Sequence, residues 1–333
     1  MGFLASILIA FAGIGVGALS SFITEYGATA NANNQAIATA ILSKDLREAQ
    51  ARYVIRAEIV ETLKRDVSPE RLPTPQRTGA INRPVIYLII DDMGLDSAAT
   101  RKVLNLPGPL TTSFLPYAPN VKTLVREAQE VGADIMLHLP MEPVGSADPG
   151  PHALKANMTG AAFVKALEWN LAQFDGYIGV NNHMGSKLTS NVAAMKTVLA
   201  YIKSKDLFFL DSLTTGKSVV RLTALDAGLD VFERDIFIDA QSGSVEAVRD
   251  QLLLAERIAA ETGFAIAIGH PRKETIEALG PWLASAPARG FKIAPISDLL
   301  RKNNSELLLS DKLPNTRFVP GEVQGLRKIE LRG

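Results

Sequence analysis

The chain contains no cysteine. Disulfide staples and thiolate metal sites are therefore excluded, although the compartment is not fixed by that alone. Histidine is nearly as scarce: His138, His152, His183 and His270 are the only four in 333 residues. A site built on imidazole has few candidates. Net charge is absent as well, with 35 Lys and Arg against 35 Asp and Glu. Without a positive field there is no footprint for nucleic acid and no basic patch for anionic lipid. Two signatures are missing too. No G-x-G-x-x-G follows the first strand-like run, so a dinucleotide fold has no support. No G-x-S-x-G is present, so a serine-nucleophile hydrolase lacks its elbow.

Charged side chains are also missing from Phe3 to Thr24. About 20 such residues suffice to cross a bilayer as a helix. Gly13, Gly15 and Gly17 are poor in a soluble helix but tolerated in a membrane one. We expect residues 1–26 to be a transmembrane anchor. The alternative is a cleaved signal segment ending near Ala28-Thr29-Ala30, which makes the protein secreted. Residues 27–66 read as a helical stalk. From Asn33 to Asp66 Ala, Leu, Glu, Arg and Gln dominate, with Ile37, Ile41, Val54, Ile55, Ile59 and Leu63 at helical spacing. A solvated stalk or a short coiled-coil arm for self-association through residues 33–66 fits that pattern. Residues 67–83, with Pro69, Pro73, Pro75 and Gly79, form a linker. The main domain occupies residues 84–303, and residues 304–333 are a C-terminal tail.

What the sequence has in that domain is alternation. Short apolar runs occur at Val85–Ile90, Leu110–Leu115, Ala133–Leu139, Tyr177–Asn181, Leu207–Leu210, Leu229–Phe232 with Ile236–Ile238, Phe264–Ile268 and Phe291–Ile296. Helical periods lie between them. From Thr159 to Phe174, the residues Phe163, Ala166, Leu167, Asn170, Leu171 and Phe174 share a face, with Thr159 placed to cap it. Ser190–Ser204 and Val245–Thr262 behave alike. Near-continuous apolar strands alternating with helices predict a parallel sheet covered by helices. The fold class is α/β: a (β/α) barrel of seven or eight units, complete or slightly short. A doubly wound open sheet is the alternative.

The polar residues that close these runs carry the chemistry. The first ends on Asp91-Asp92, the third on His138, the fourth on His183, the fifth on Asp211-Ser212 and the seventh on His270. In a parallel barrel all these ends open on one face. His152, in the loop DPGPH, is read as a surface residue. Imidazole plus carboxylate, with no thiolate, suits Zn²⁺ or a similar divalent ion with an open position for water. Such an ion makes hydrolysis feasible near neutral pH. A second carboxylate can take a proton from water, and a histidine on the opposite rim can protonate a leaving group. Asn182 and Ser186 are candidates for substrate hydrogen bonds. A glycosidase pairing Asp91 with Asp211 or Glu142 is a third option, open only if no metal sits between them.

Together DDMG, HLPMEP, NNHMGS, Asp211-Ser212 and IGHP resemble the divergent polysaccharide deacetylases, over about Arg83 to Arg301. The resemblance implies a metal-dependent hydrolase that removes acetyl groups from a cell-envelope glycan. It implies Asp91 as general base, Asp92 as metal ligand and His270 as general acid. His138 matches the first histidine of the family's second motif, but Glu142 stands where the second belongs. The family's Arg-containing third motif is absent, and NNHMGS occupies its place. Either His183 or Glu142 then completes a three-ligand site, with His183 preferred because imidazole keeps the ligand type. Glu142 and Asp211 are left as supporting partners or alternative ligands. An inactive domain that binds a glycan or a partner protein is the competing reading.

Overall fold

The computed structural model describes residues 54–65, 83–229, 231–240 and 243–301. The expected anchor over 1–26, most of the stalk, nearly all of the linker and the tail over 304–333 lie outside them. Among the described residues no helix is long and apolar enough to cross a membrane.

Nine strands make one parallel sheet. They are β1 (Val85–Met93), β2 (Thr111–Phe114), β3 (Asp134–Met141), β4 (Gly179–Met184), β5 (Phe208–Asp211), β6 (Val231–Glu233), β7 (Ile236–Phe237), β8 (Phe264–Gly269) and β9 (Lys292–Ala294). Seven helices alternate with them: α1 (Ser97–Leu104), α2 (Val121–Glu130), α3 (Gly160–Leu171), α4 (Val192–Ser204), α5 (Val220–Ala227), α6 (Val245–Thr262) and α7 (Lys273–Ser285). Every expected apolar run contains a strand, as its β-branched and aromatic content favours. Thr159 caps α3, its hydroxyl accepting from Ala162 N at 3.4 Å.

The strand order is β6-β5-β4-β3-β2-β1-β8-β7, with β9 beside the first residues of β1. Its two outermost strands are consecutive in the chain, separated only by Arg234 and Asp235. Arg234 N donates to Asp211 O at 3.0 Å, on the β5 side, and Asp235 N donates to Ile266 O at 2.9 Å, on the β8 side. The sheet thus curls on itself as a (β/α) barrel does, and the doubly wound open sheet is not adopted.

Strand period then sorts the side chains. Ile86, Leu88 and Ile90 of β1 join the core cluster under the helices, with Leu137 and Leu139 of β3 and Ala265 and Ala267 of β8. The residues between them, Tyr87, Ile89, Met136, Leu210, Ile266 and Ile268, are as buried but turn to the enclosed side. Asp91, His138, Asn181 and His270 continue that inward series at the strands' C-terminal ends. Each fully buried apolar side chain contributes roughly 1.5–3 kcal/mol of transfer free energy. The apolar floor can therefore hold a polar rim in place.

Residues 54–65 fall within the expected stalk. They are helical, but Arg56 clamps both oxygens of Asp235 at 2.6 and 2.7 Å and donates to Phe264 O at 3.0 Å. Its guanidinium also lies 4.0 Å from the Phe264 ring centroid, and Val60 is buried in the core. Asp235 sits where the ladder passes from β6 to β7, so this helix covers the seam of the sheet.

Candidate metal and acid–base site

Adjacent residues of a regular strand point to opposite faces, so Asp91 and Asp92 could not share a site in an ideal β1. The strand breaks that rule. Its register against β2 shifts between Ile90 and Met93, and Asp92 adopts a left-handed φ of +55°. This irregularity turns the second carboxylate back toward the rim, next to the inward-facing first one.

Asp92 Oδ1 lies 3.2 Å from His138 Nε2 and 2.8 Å from His183 Nδ1. The two imidazole nitrogens are 3.2 Å apart. The strands explain the meeting: β3 and β4 pair His138 with Asn181 and Pro140 with His183, so both rings project inward at neighbouring levels. Among the described residues, these three side chains form the one cluster with the spacing of a metal site.

Asn181 fixes which nitrogen of His138 faces that cluster. Its amide nitrogen donates to Asp91 Oδ1 at 2.8 Å, an acceptor-only carboxylate. Its carbonyl oxygen is thereby turned to His138 Nδ1 at 2.9 Å and to the Ser113 hydroxyl at 2.5 Å. An oxygen can only accept, so His138 carries its proton on Nδ1 and presents an Nε2 lone pair to Asp92 and His183. Asp92 Oδ1 is buried and makes no hydrogen bond of acceptable geometry. His138 Nε2, Asp92 Oδ1 and His183 Nδ1 thus converge with at most one proton among them, an arrangement that suits a bound cation. Donors roughly 2.0–2.2 Å from a tetrahedral ion stand somewhat over 3 Å apart, so these side chains fit a Zn²⁺-like ion with little adjustment.

Burial pushes the Asp91 carboxyl above its ordinary range, against the pull of His138 and His270. Burial works in the same direction on Asp92; positive charge beside it, as His138 and His183 carry when protonated, outweighs burial and holds that carboxyl low. Neighbouring acids are thus poised oppositely, one toward accepting a proton and one toward staying charged.

Across the rim His270 makes a different pair. Its Nδ1 lies 2.9 Å from Asp239 Oδ1, and its backbone N donates to Asp239 Oδ2 at 2.6 Å. Thr275 Oγ1 donates to Asp239 Oδ2 at 2.8 Å, and Arg272 grips the Asp239 carbonyl at 2.7 Å. His270 Nε2 is left facing the cluster, 4.0 Å from Asp92 Oδ2. Burial opposes the charged imidazole, and Asp239 outweighs it, raising the His270 pKa.

Other expected residues lie apart from this chemistry. Glu142 is held by Lys187 Nζ at 2.7 Å and Ala156 N at 2.8 Å, so it ties down the loop after β3 and lies outside the cluster of Asp92, His138 and His183. Asp211 accepts from Ser218 Oγ at 2.5 Å and Leu213 N at 2.9 Å, closing the turn after β5. Both carboxylates that a glycosidase would borrow are therefore committed to loops. Asn182 is buried, spanning Ser212 N and Met184 O at 2.9 and 2.8 Å, and Ser186 Oγ accepts from Val144 N at 2.8 Å. These two brace the rim. Two residues were not foreseen. Asp239 follows the run Ile236–Ile238 and carries the same strand-end signal as the others. Asn181 is a polar residue at an inward strand position.

A model described as divergent polysaccharide deacetylase matches residues 88–300. The chain is 34% identical over 247 residues to an uncharacterized protein of Haemophilus influenzae, covering 72% of this chain and 88% of that one. It is 29% identical over 212 residues to uncharacterized protein YibQ of Escherichia coli K12, covering 62% of this chain and 66% of that one. The solved structure of uncharacterized protein ATU2773 from Agrobacterium tumefaciens is similar with a TM-score of 0.64 at 24% identity, over 68% of this chain and 93% of that one. At that identity the likeness speaks for the fold.

Proposed function

The chain belongs to the divergent polysaccharide deacetylase family, and from that premise we propose that it is a metal-dependent hydrolase removing acetyl groups from a cell-envelope polysaccharide. The observation that carries this reading is the meeting of Asp92, His138 and His183 beside a separate base and a separate acid.

Asp92, His138 and His183 would hold the ion, and zinc suits a ligand set of two imidazoles and one carboxylate. A bound divalent cation supplies Lewis acidity, which polarises the acetyl carbonyl and makes water more acidic. Asp91 is the base that takes the proton of the attacking water. Its Oδ1 is pinned by Asn181 while Oδ2 stays 3.7 Å from His138 Nε2, facing the ion site. Its raised pKa makes it a stronger base than an ordinary carboxylate, and burial excludes competing water. His270 is the acid. Asp239 accepts from Nδ1–H, so the second proton of the imidazolium sits on Nε2, aimed across the rim. It protonates the departing nitrogen or oxygen as the bond to the acetyl carbon breaks, and acetate is released.

The competing reading, a glycan or partner binder without activity, drew on Glu142 replacing a ligand histidine. It also drew on the absent Arg motif; His183 beside Asp92 weighs against the first of these two grounds. The uncharged stretch Phe3–Thr24 supports a membrane tether, and the deacetylase reading puts the barrel on its envelope side. The experiment is acetate release from acetylated oligosaccharides, with and without chelator, in the wild type and Asp91→Asn. Chelator-sensitive release that is lost in Asp91→Asn supports the proposal. Release insensitive to chelator, or no release from any acetylated glycan, overturns it.

A further inference from the structure

A cavity of about 530 Å³ opens beside the rim, between the loop after β2 and the loop and helix after β3. That volume is typical of ligand clefts, which run roughly 300–1,000 Å³. Its walls include Tyr117, Asn120, His152, Trp169 and Gln173. His152, the one histidine outside the reaction machinery, stacks on Trp169 with centroids 3.6 Å apart and rings inclined by 17°. His152 is solvent-exposed and holds a left-handed φ of +58°. A residue with a side chain keeps such a backbone only where its surroundings impose it. Here the imposing contact is Asn170, whose buried amide donates to the His152 carbonyl at 2.9 Å. Gly150 completes the construction: a Cβ there would fall 2.6 Å from the Tyr117 hydroxyl, so only glycine admits that ring. The aromatic wall is therefore built into the fold.

One lining residue also packs on the segment that follows Asp92. Gly94, two residues beyond Asp92, backs so closely on cavity-lining Ala118 that an added Cβ would lie 2.7 Å from the Ala118 Cβ. The loop after β2 thus touches both the Asp91-Asp92 strand end and the cavity. A pyranose offers a flat face of C–H groups and a rim of hydroxyls, which suits a stacked ring pair bordered by the amides of Asn120 and Gln173 and the hydroxyl of Thr123.

We propose that this cavity is a remote glycan subsite, where Trp169 and His152 stack against a sugar ring beyond the one being deacetylated. The inference rests on the deacetylase reading for its ligand class, but its test reads binding separately from reaction. The site supplies affinity for longer chains, and short substrates do not reach it.

The chain has two tryptophans, and Trp282 is buried with its Nε1–H on Glu256 at 2.7 Å, so a ligand-induced change in emission reports Trp169. The full chain is titrated with β-1,4-linked N-acetylglucosamine oligomers of two to six sugars. Emission and acetate release are followed in the wild type, Trp169→Ala and Trp169→Phe. The wild type is expected to bind the hexamer more tightly than the dimer, with a change in emission. Trp169→Ala should weaken hexamer binding roughly tenfold, the size of one lost stacking contact, and leave the dimer unchanged, while Trp169→Phe restores most of the loss. Hexamer binding with this pattern but no acetate release keeps the subsite and rejects the deacetylase. Acetate release with no preference for length, or hexamer affinity unchanged in Trp169→Ala, rejects the subsite and keeps the deacetylase. Absence of binding to every oligomer overturns the subsite.

Discussion

The rim holds two imidazole–carboxylate groups, and they are wired in opposite ways. On one side His138 and Asp92 turn acceptor atoms toward each other and toward His183 Nδ1, and Asp92 Oδ1 is left without a proper hydrogen bond. On the other side His270 and Asp239 satisfy each other, with the carboxylate further held by Thr275 and by the His270 backbone. The same residue types thus serve two ends. Convergent lone pairs make a place for a cation, while a satisfied donor–acceptor pair makes an oriented proton donor. Hydrogen-bond direction, not residue identity, separates the two.

The largest expected effect breaks the first side alone. Asp92→Asn or His138→Ala should abolish chelator-sensitive acetate release and metal retention together, since removing a ligand removes the ion and its Lewis acidity. Next comes the second side. Asp239→Asn should lower kcat by roughly 10²–10⁴-fold, the contribution of a positioned acid, while leaving metal content at the wild-type level. The sign of its pH effect is fixed. Asp239 raises the His270 pKa, so without it the protonated form disappears at lower pH and the basic limb of the activity profile moves down. A metal loss in Asp239→Asn would show that the two sides are one unit.

A smaller effect sharpens the wiring itself. Asn181→Leu should weaken metal binding roughly 10–100-fold by releasing the His138 ring. Nitrogen-15 spectra of the four histidines should show His138 losing its Nδ1–H form in that variant. Smallest of all, Glu142→Gln should change metal affinity less than twofold, because its oxygens serve Lys187 and Ala156.

Much of this was legible from pattern. The barrel strands are short, apolar and bounded by turns, and the histidines and Asp91-Asp92 stand at their ends, so period and position alone placed them. Asp239 was within reach of the same rule, but its strand is two residues long and the run before it gives a weak signal. The inward turn of Asp92 was not legible, because nothing in an Asp-Asp pair says which residue takes a left-handed backbone. Asn181 could not be singled out either, since its role depends on Asp91, Ser113 and His138, which arrive from three other strands. The docking of residues 54–65 was not legible for a related reason: Arg56 finds Asp235 across 179 residues of sequence, and its helix alone looks like a solvated one.

The most direct test counts ions. The wild type, Asp92→Asn, His183→Ala and Asp239→Asn are equilibrated with Zn²⁺, freed of excess by dialysis and analysed for bound metal. One ion per chain in the wild type and Asp239→Asn, and almost none in Asp92→Asn and His183→Ala, is the result expected here. No retained zinc in the wild type, or equal retention in all four proteins, would contradict it.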